Sequence, residues 1–191
     1  VIGIALGFAF QEIASNFVSG VFIAIKQPYK IGDIVEVDGM HGEVISINLR
    51  TTSLVTFQGI EIFVPNKSMF TMPLKNFTTT PVRRLDIKLG VSYDDDLDSV
   101  ENVTRKVLEE LKGRLKDKPI QFFYSEFGES SINFIAQVWI SYPDDNNYLR
   151  TRHQAIINIK KAFDQSDINI PYPIRTIVYP GTKNETSKTE S

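Results

Sequence analysis

Residues 1–25 read VIGIALGFAFQEIASNFVSGVFIAI, the most apolar stretch of the chain, interrupted by one charged side chain, Glu12. Gly3 and Gly7 are four residues apart and share a helical face along which two backbones can approach closely. Ala5 and Ala9 add further small side chains, while Ile4 and Phe8, also four apart, share a different face. A complete membrane span takes about 20 mainly apolar residues. Here Gln11 and Glu12 follow ten, a length that covers only about 15 Å as helix. A charge at the bilayer centre costs roughly 2.5–3.5 kcal/mol on insertion scales, which puts Glu12 near an interface or in a water-filled lumen. These residues leave two readings open, the lower part of a membrane helix and a buried core helix of a soluble protein. Two helical pieces are predicted, 1–12 and 14–25, with Ser15-Asn16 and Gly20 as weak points where the axis can bend. Pro28 ends the helical region, because its ring and missing N–H are incompatible with a helix interior.

The remainder reads as ordinary water-soluble protein. Of 191 residues, 42% are apolar and 23% charged, enough for a real core and against wholesale disorder. A net charge of −2 gives no reason to expect a nucleic-acid partner. With no cysteine there is no disulfide framework, thiolate chemistry or cysteine-based zinc site.

From Tyr29 to Phe77 the pattern is of short strands. Ile34–Val37 runs into the turn pair Asp38-Gly39; Glu43–Leu49, Thr52–Phe57 and Ile60–Val64 follow, and Pro65-Asn66 closes the set. Turn signals at this spacing predict a small β-barrel or sandwich, five strands closed on themselves so that no edge is left open. After Thr80-Pro81 the order becomes β-α-β-β-α-β. Leu85–Val91 is a strand, and Asp94-Asp95-Asp96 offers N-cap oxygens to a helix with Leu97, Val100, Val103, Val107, Leu108, Leu111 and Leu115 inward. Ile120–Tyr124 and Ile132–Tyr142 are strands. Asn146 or Asn147 caps a second helix with Leu149, Ala155, Ile156, Ile159, Ala162 and Phe163 inward, and Ile174–Tyr179 is the last strand. This is a split βαβ, ferredoxin-like α+β arrangement. The predicted organisation is therefore a helix over 1–26, a β-domain over 27–79, an α/β domain over 80–180 and a polar, disordered tail over 181–191.

A search for chemistry finds no catalytic constellation and implies no cofactor. His41, in a Gly-Met-His-Gly turn, and His153, on the polar side of a helix, read as separate surface histidines. No zinc-protease helix, nucleophile elbow or phosphate-cradling glycine loop is present. The aspartates at 94–96 and 98 lack the glycine and distal glutamate of a calcium loop, and helix capping accounts for them. The rival to a membrane protein is a soluble binding module, with RNA as a candidate ligand, since small β-barrels and ferredoxin-like sheets both host RNA binding. Phe134 and Trp139 stand on a suitable strand but without basic neighbours, so core packing explains them better; Arg83-Arg84 and Lys67 are the one local basic patch to consider.

The segment Gln27-Pro28-Tyr29-Lys30-Ile31-Gly32-Asp33 resembles the signature that follows the pore helix in the small-conductance mechanosensitive channel (MscS-like) family. The resemblance continues through Gly42-Glu43-Val44, Ile47, Thr51-Thr52 and Val64-Pro65-Asn66. It extends to Pro81-Val82-Arg83-Arg84, Gly90–Asp94, Ser130–Phe134 and Ile170-Pro171-Tyr172-Pro173, and so covers Val1 to about Tyr179. It implies a pore-lining membrane helix, here begun part-way, followed by an Sm-like five-stranded β-domain and an α/β domain that together form a hollow cage. It also implies a homo-heptamer in the bacterial inner membrane, with residues after about 26 in the cytoplasm, opened by membrane tension to pass ions and small solutes in hypo-osmotic shock. Ile4 and Phe8 fall on the family's hydrophobic seal, two stacked apolar rings that can exclude water and stop ions without a plug. Gly3, Ala5, Gly7 and Ala9 fall on its helix–helix contacts. Gln11 precedes the family's first hinge, where Glu12 replaces glycine and would put a ring of carboxylates near the cytoplasmic mouth. Ser15, Asn16 and Gly20 match, with Gly20 available as a second bend.

Overall fold

A computed structural model describes residues 2–142, 148–175 and 177. It divides into two compact units, Val1–Arg83 with Ser141–Tyr148, and Arg84–Ile140 with Leu149–Ser191.

The first unit opens with one unbroken helix, α1 (Ile2–Lys26), where the sequence predicts two pieces. The weak points are used for other purposes. Asn16 donates through Nδ2 to the Glu12 carbonyl one turn back (3.0 Å), and Gly20 meets the β-domain instead of bending. The helix stops at Gln27, which takes a left-handed conformation (φ 46°) while its N–H still reaches the Ile23 carbonyl (2.8 Å). Pro28 disfavours helical backbone in the residue before it, so the turn falls there.

Five strands follow: β1 (Ile34–Val37), β2 (Met40–Ile47), β3 (Thr51–Val55), β4 (Glu61–Pro65) and, after the short helix α2 (Asn66–Thr71), β5 (Leu74–Asn76). Asp38 and Gly39 both have positive φ and join β1 to β2 with Val37 opposite Met40. This is the two-residue turn whose twist suits a hairpin. His41 therefore lies in β2 and not in the turn, its ring 5.1 Å from both Phe57 and Phe77. In the β2–β3 pairing, Val44 faces Leu54 and Ser46 faces Ser53, leaving Ile45 as the extra residue of a bulge. That bulge lets Val44 and Ile47, three apart, both turn toward the core. Met40–Ile47 is thus the strand and Leu49 falls outside it, exposed.

The sheet order is β4-β3-β2-β1-β5, with no ladder between β4 and β5 among the described residues. The predicted five strands are there, but their hydrogen bonding does not close. β4 runs directly into α2, whose Met69 joins the core, and the chain returns as a three-residue strand on β1. Ile23 of α1 and Tyr29 pack with Val35, Val37, Val44, Leu54 and Val64 in that same core.

The second unit has the order β6 (Val82–Val91), α3 (Leu97–Glu109), β7 (Gln121–Phe127), β8 (Ile132–Ser141) and α4 (Tyr148–Gln165). Its sheet runs β6-β8-β7, the split order in which the third strand sits between the first two. β8 alternates buried and half-buried residues along its length, as a central strand does. Asp96 caps α3 by accepting from the Asp98 N–H, and Asp95 accepts from the N–H groups of Ser92 and Asn169. α3 ends at Glu109, so Leu111 and Leu115 lie beyond it. The buried stripe of α4 is Thr151, Ala155, Ile159 and Phe163. Leu149 and Ile156 face outward instead, being off that four-residue register. The predicted caps Asn146 and Asn147 lie outside the described residues.

Ile174, Arg175 and Ile177 are not in a strand, contrary to the sequence reading. Pro171 and Pro173 cannot donate to a ladder, and the Ile174 N–H is given to Ser130 Oγ (3.0 Å) in the β7–β8 loop. Thr176, Val178, Tyr179 and the tail 181–191 lie outside the described residues.

Candidate functional site: the N-terminal helix and its seat

α1 has one stripe that fits the β-domain and apolar faces that stay largely exposed among the described residues. The stripe is Asn16, Ser19, Gly20 and Ile23, successive positions at three- and four-residue spacing. Ser19, Gly20 and Ile23 are buried. Asn16 Oδ1 accepts the Lys67 N–H at the start of α2 (2.9 Å). Beside the stripe, Phe22 stacks on Phe70 of α2 with ring centres 5.6 Å apart.

Beneath Gly20 lies a buried chain of polar groups. The Tyr29 hydroxyl shares a hydrogen bond with Thr52 Oγ1 (2.9 Å), which donates to Asn66 Oδ1 (3.0 Å). Asn66 Nδ2 donates to the Asn48 carbonyl (2.8 Å), and the Asn66 N–H donates to the Arg50 carbonyl (2.9 Å). Thr52 and Asn66 are fully buried, so each bond replaces water that cannot reach them. Burial pushes the Tyr29 hydroxyl above its ordinary pKa, and its bond to Thr52 opposes that only in part.

A second polar knot fixes the loop between α1 and β1. Asp33 accepts from the Lys30 N–H (2.9 Å), Asn76 Nδ2 (2.8 Å) and Thr78 Oγ1 (2.8 Å), tying that loop to the end of β5. Partial burial raises the Asp33 carboxyl. The bonds from Asn76, Lys30 and Thr78, with the Lys30 charge, outweigh that and hold it below the usual carboxylate range.

Away from this seat α1 is bare. Phe8 is 72% exposed and Ile25 70%; Phe10, Ile13, Phe17, Val18 and Val21 are also exposed. The stretch Gly7–Lys26 is long and apolar enough to cross a membrane, with 17% of it buried. Gly3 and Gly7 have open space where a Cβ would stand, and Ala9, Gln11 and Glu12 are exposed. Ser15 is half-buried. Ile4 and Ala5 are in helical backbone, and their side chains lie outside the described part. The predicted site residues thus fall into two groups, an exposed upper set and a seated set at Asn16 and Gly20.

Sequence reading missed the seat itself. Tyr29, Thr52 and Asn66 stand in motifs quoted for the resemblance, but only the fold brings residues so distant in sequence into one buried chain. Two members of the basic patch considered at Arg83-Arg84 and Lys67 are engaged by near neighbours. Arg83 stands over the rings of Phe77, Tyr142 and Tyr148 (5.2, 5.0 and 4.3 Å), and Arg84 pairs with Asp86. Phe134 is buried in the α/β core, and Trp139 carries Lys118 over its ring.

A bare apolar helix of membrane-spanning length, seated on a five-stranded β-domain and followed by a split α+β domain, fits the class of membrane-helix proteins. Known proteins make the class specific. Residues 12–79 match the model for the mechanosensitive ion channel β-domain, and residues 85–170 match that for the C-terminal region of MscS. A small-conductance mechanosensitive channel of Edwardsiella ictaluri is 34% identical over 90% of this chain and 59% of its own length. An MscS family protein of Archaeoglobus fulgidus is 31% identical over 92% of this chain and 61% of its own. The closed-state crystal structure of Helicobacter pylori MscS superposes with a TM-score of 0.86 at 30% identity, covering 95% of this chain and 71% of that one. The chain belongs to the MscS family of mechanosensitive ion channels. It spans about 60% of the length of the curated relatives it matches.

Proposed function

We propose that this chain forms the pore-lining and cytoplasmic part of a channel subunit opened by membrane tension, which passes ions and small solutes in hypo-osmotic shock. The subunits assemble as a homo-heptamer in the inner membrane, with the body after about residue 26 in the cytoplasm. The observation that carries this reading is the division of α1. One stripe is committed to the β-domain, while apolar side chains from Phe8 to Ile25 remain exposed on a helix of membrane-spanning length. In water, so much unpaired apolar surface is costly, at roughly 25 cal/mol per Å²; lipid and neighbouring copies of the helix remove that cost.

Ile4 and Phe8 form the seal, and Gly3, Ala5, Gly7 and Ala9 let adjacent helices pack closely enough to narrow it. Gln11, Glu12 and Ser15 lead from the seal toward the seat, and Asn16 and Gly20 hold the helix to the β-domain. The deciding experiment is tension-controlled patch clamp of the full-length protein in liposomes. Unitary currents that appear with suction and vanish on its release are expected; bilayers that stay silent up to rupture refute the reading.

A further inference from the structure

We propose that Glu12 faces the ion pathway and makes it prefer cations; this rests on the pore reading above. Glu12 is the one charged side chain between Val1 and Ile25. It is exposed, and among the described residues its carboxylate has no hydrogen bond or ion pair. Only its backbone carbonyl is engaged, by Asn16. An unpaired charge on a membrane helix is tolerated where it faces a water-filled cavity and is rare elsewhere.

The position agrees with that. α1 is continuous through Glu12, so the ordinary helical rise and turn apply. Glu12 lies about 6 Å further along the axis than Phe8 and about 40° round from it. A helix that turns Phe8 into a lumen therefore brings Glu12 into the same lumen, one turn nearer the β-domain. Symmetry repeats the carboxylate around the axis, and a ring of like charges attracts cations and repels anions. The residue that breaks the apolar run would thus serve as the selectivity element of the conducting state.

The test is the reversal potential of the full-length channel, held open by tension, under a KCl gradient. The wild type is expected to reverse on the potassium side. Glu12→Gln lowers the potassium-over-chloride permeability ratio by about thirtyfold, since one unit charge at about 4 Å in a water-like dielectric favours potassium and disfavours chloride by about fivefold each. Glu12→Asp keeps the preference, and Glu12→Lys inverts it. A wild-type reversal at zero or on the chloride side overturns the inference without any variant, as does a Glu12→Gln channel that matches the wild type. Either result leaves the pore reading standing, because current was measured. A wild-type protein silent under tension instead removes the pore reading, and this inference with it.

Discussion

Asn66 lies directly beneath Gly20: a Cβ built on that glycine would stand 2.6 Å from Asn66 Nδ2 and 2.6 Å from the Leu49 carbonyl oxygen. The contact joins α1 to the β-domain at its tightest point. One of the two neighbours is backbone, and the other is a side chain already committed to the carbonyl of Asn48. Neither can retreat without breaking a bond or moving a loop.

Gly20→Ala is therefore expected to lift α1 off its seat. Overpacking of this kind costs about 1–3 kcal/mol. Hydrogen exchange read over residues 16–26 checks it, since the amides of the seated half should lose protection while those of β8 keep theirs. Unchanged protection of the helix would mean that the β-domain yields at this contact.

Asn66→Ala removes three side-chain functions at once. Thr52 Oγ1 loses its acceptor, the Asn48 carbonyl loses its donor, and a void opens under Gly20. Each buried group left unpaired costs about 1–3 kcal/mol. The variant is expected to lower the thermal midpoint of the β-domain in detergent more than Thr52→Val does, because Thr52→Val leaves Asn66 its bond to Asn48. Equal losses would mean that the Asn48 bond and the void add nothing beyond what Thr52→Val removes, the bonds of Thr52 to Asn66 and Tyr29.

Much of this fold was legible in the chain, and what was not has identifiable causes. The Asp38-Gly39 turn and the capping role of Asp96 follow from local chemistry, and the structure has both. The bulge at Ile45 was hidden in plain view: apolar residues three apart, Val44 and Ile47, fit neither strand nor helix period until one residue is removed from the ladder. Weak points at Asn16 and Gly20 suggested bends because local propensity says nothing about what a residue will touch. In the fold these same residues hold the helix to the β-domain. Six apolar positions on α4 looked equivalent, yet the buried residues keep a four-residue register, and Leu149 and Ile156 fall off it. The exposed face of α1 was legible as apolar, but none of the described residues covers it.

The Asp33 knot makes a signed prediction about pH. The folded value of this carboxyl lies below its ordinary 3.8, so between the two values the unfolded chain binds more protons than the folded one. The stabilisation is complete above 3.8 and drains away as pH falls through the lower folded value. Asp33→Asn removes the charge and exchanges one accepting oxygen for a donor, best tolerated at the Thr78 hydroxyl, which then loses its acceptor. The variant should be less stable than wild type near neutral pH, and the gap should shrink as the medium is acidified through the carboxylate range. Denaturant midpoints of the two proteins across that range check it; a constant gap would mean that the loss lies in packing and not in charge.

Phe8→Ser tests the seal most directly. Phe8 is 72% exposed on α1, with open space around Gly7 beside it, so little of this phenyl ring is packed against the described residues. Its removal should leave the fold intact while, on the proposed pore reading, a ring of hydroxyls replaces a ring of phenyl groups. Hydrophobic constrictions stop ions because water leaves them, and a hydroxyl ring holds water. The tension needed to open the channel should fall, with some openings at rest. Phe17→Ser is the comparison: nine residues on at about 100° each, Phe17 points away from Phe8, so its loss should leave the pathway dry. Threshold tension measured against an internal reference channel separates the two. A Phe8→Ser threshold equal to wild type, in a protein that still assembles, would move the seal away from Phe8.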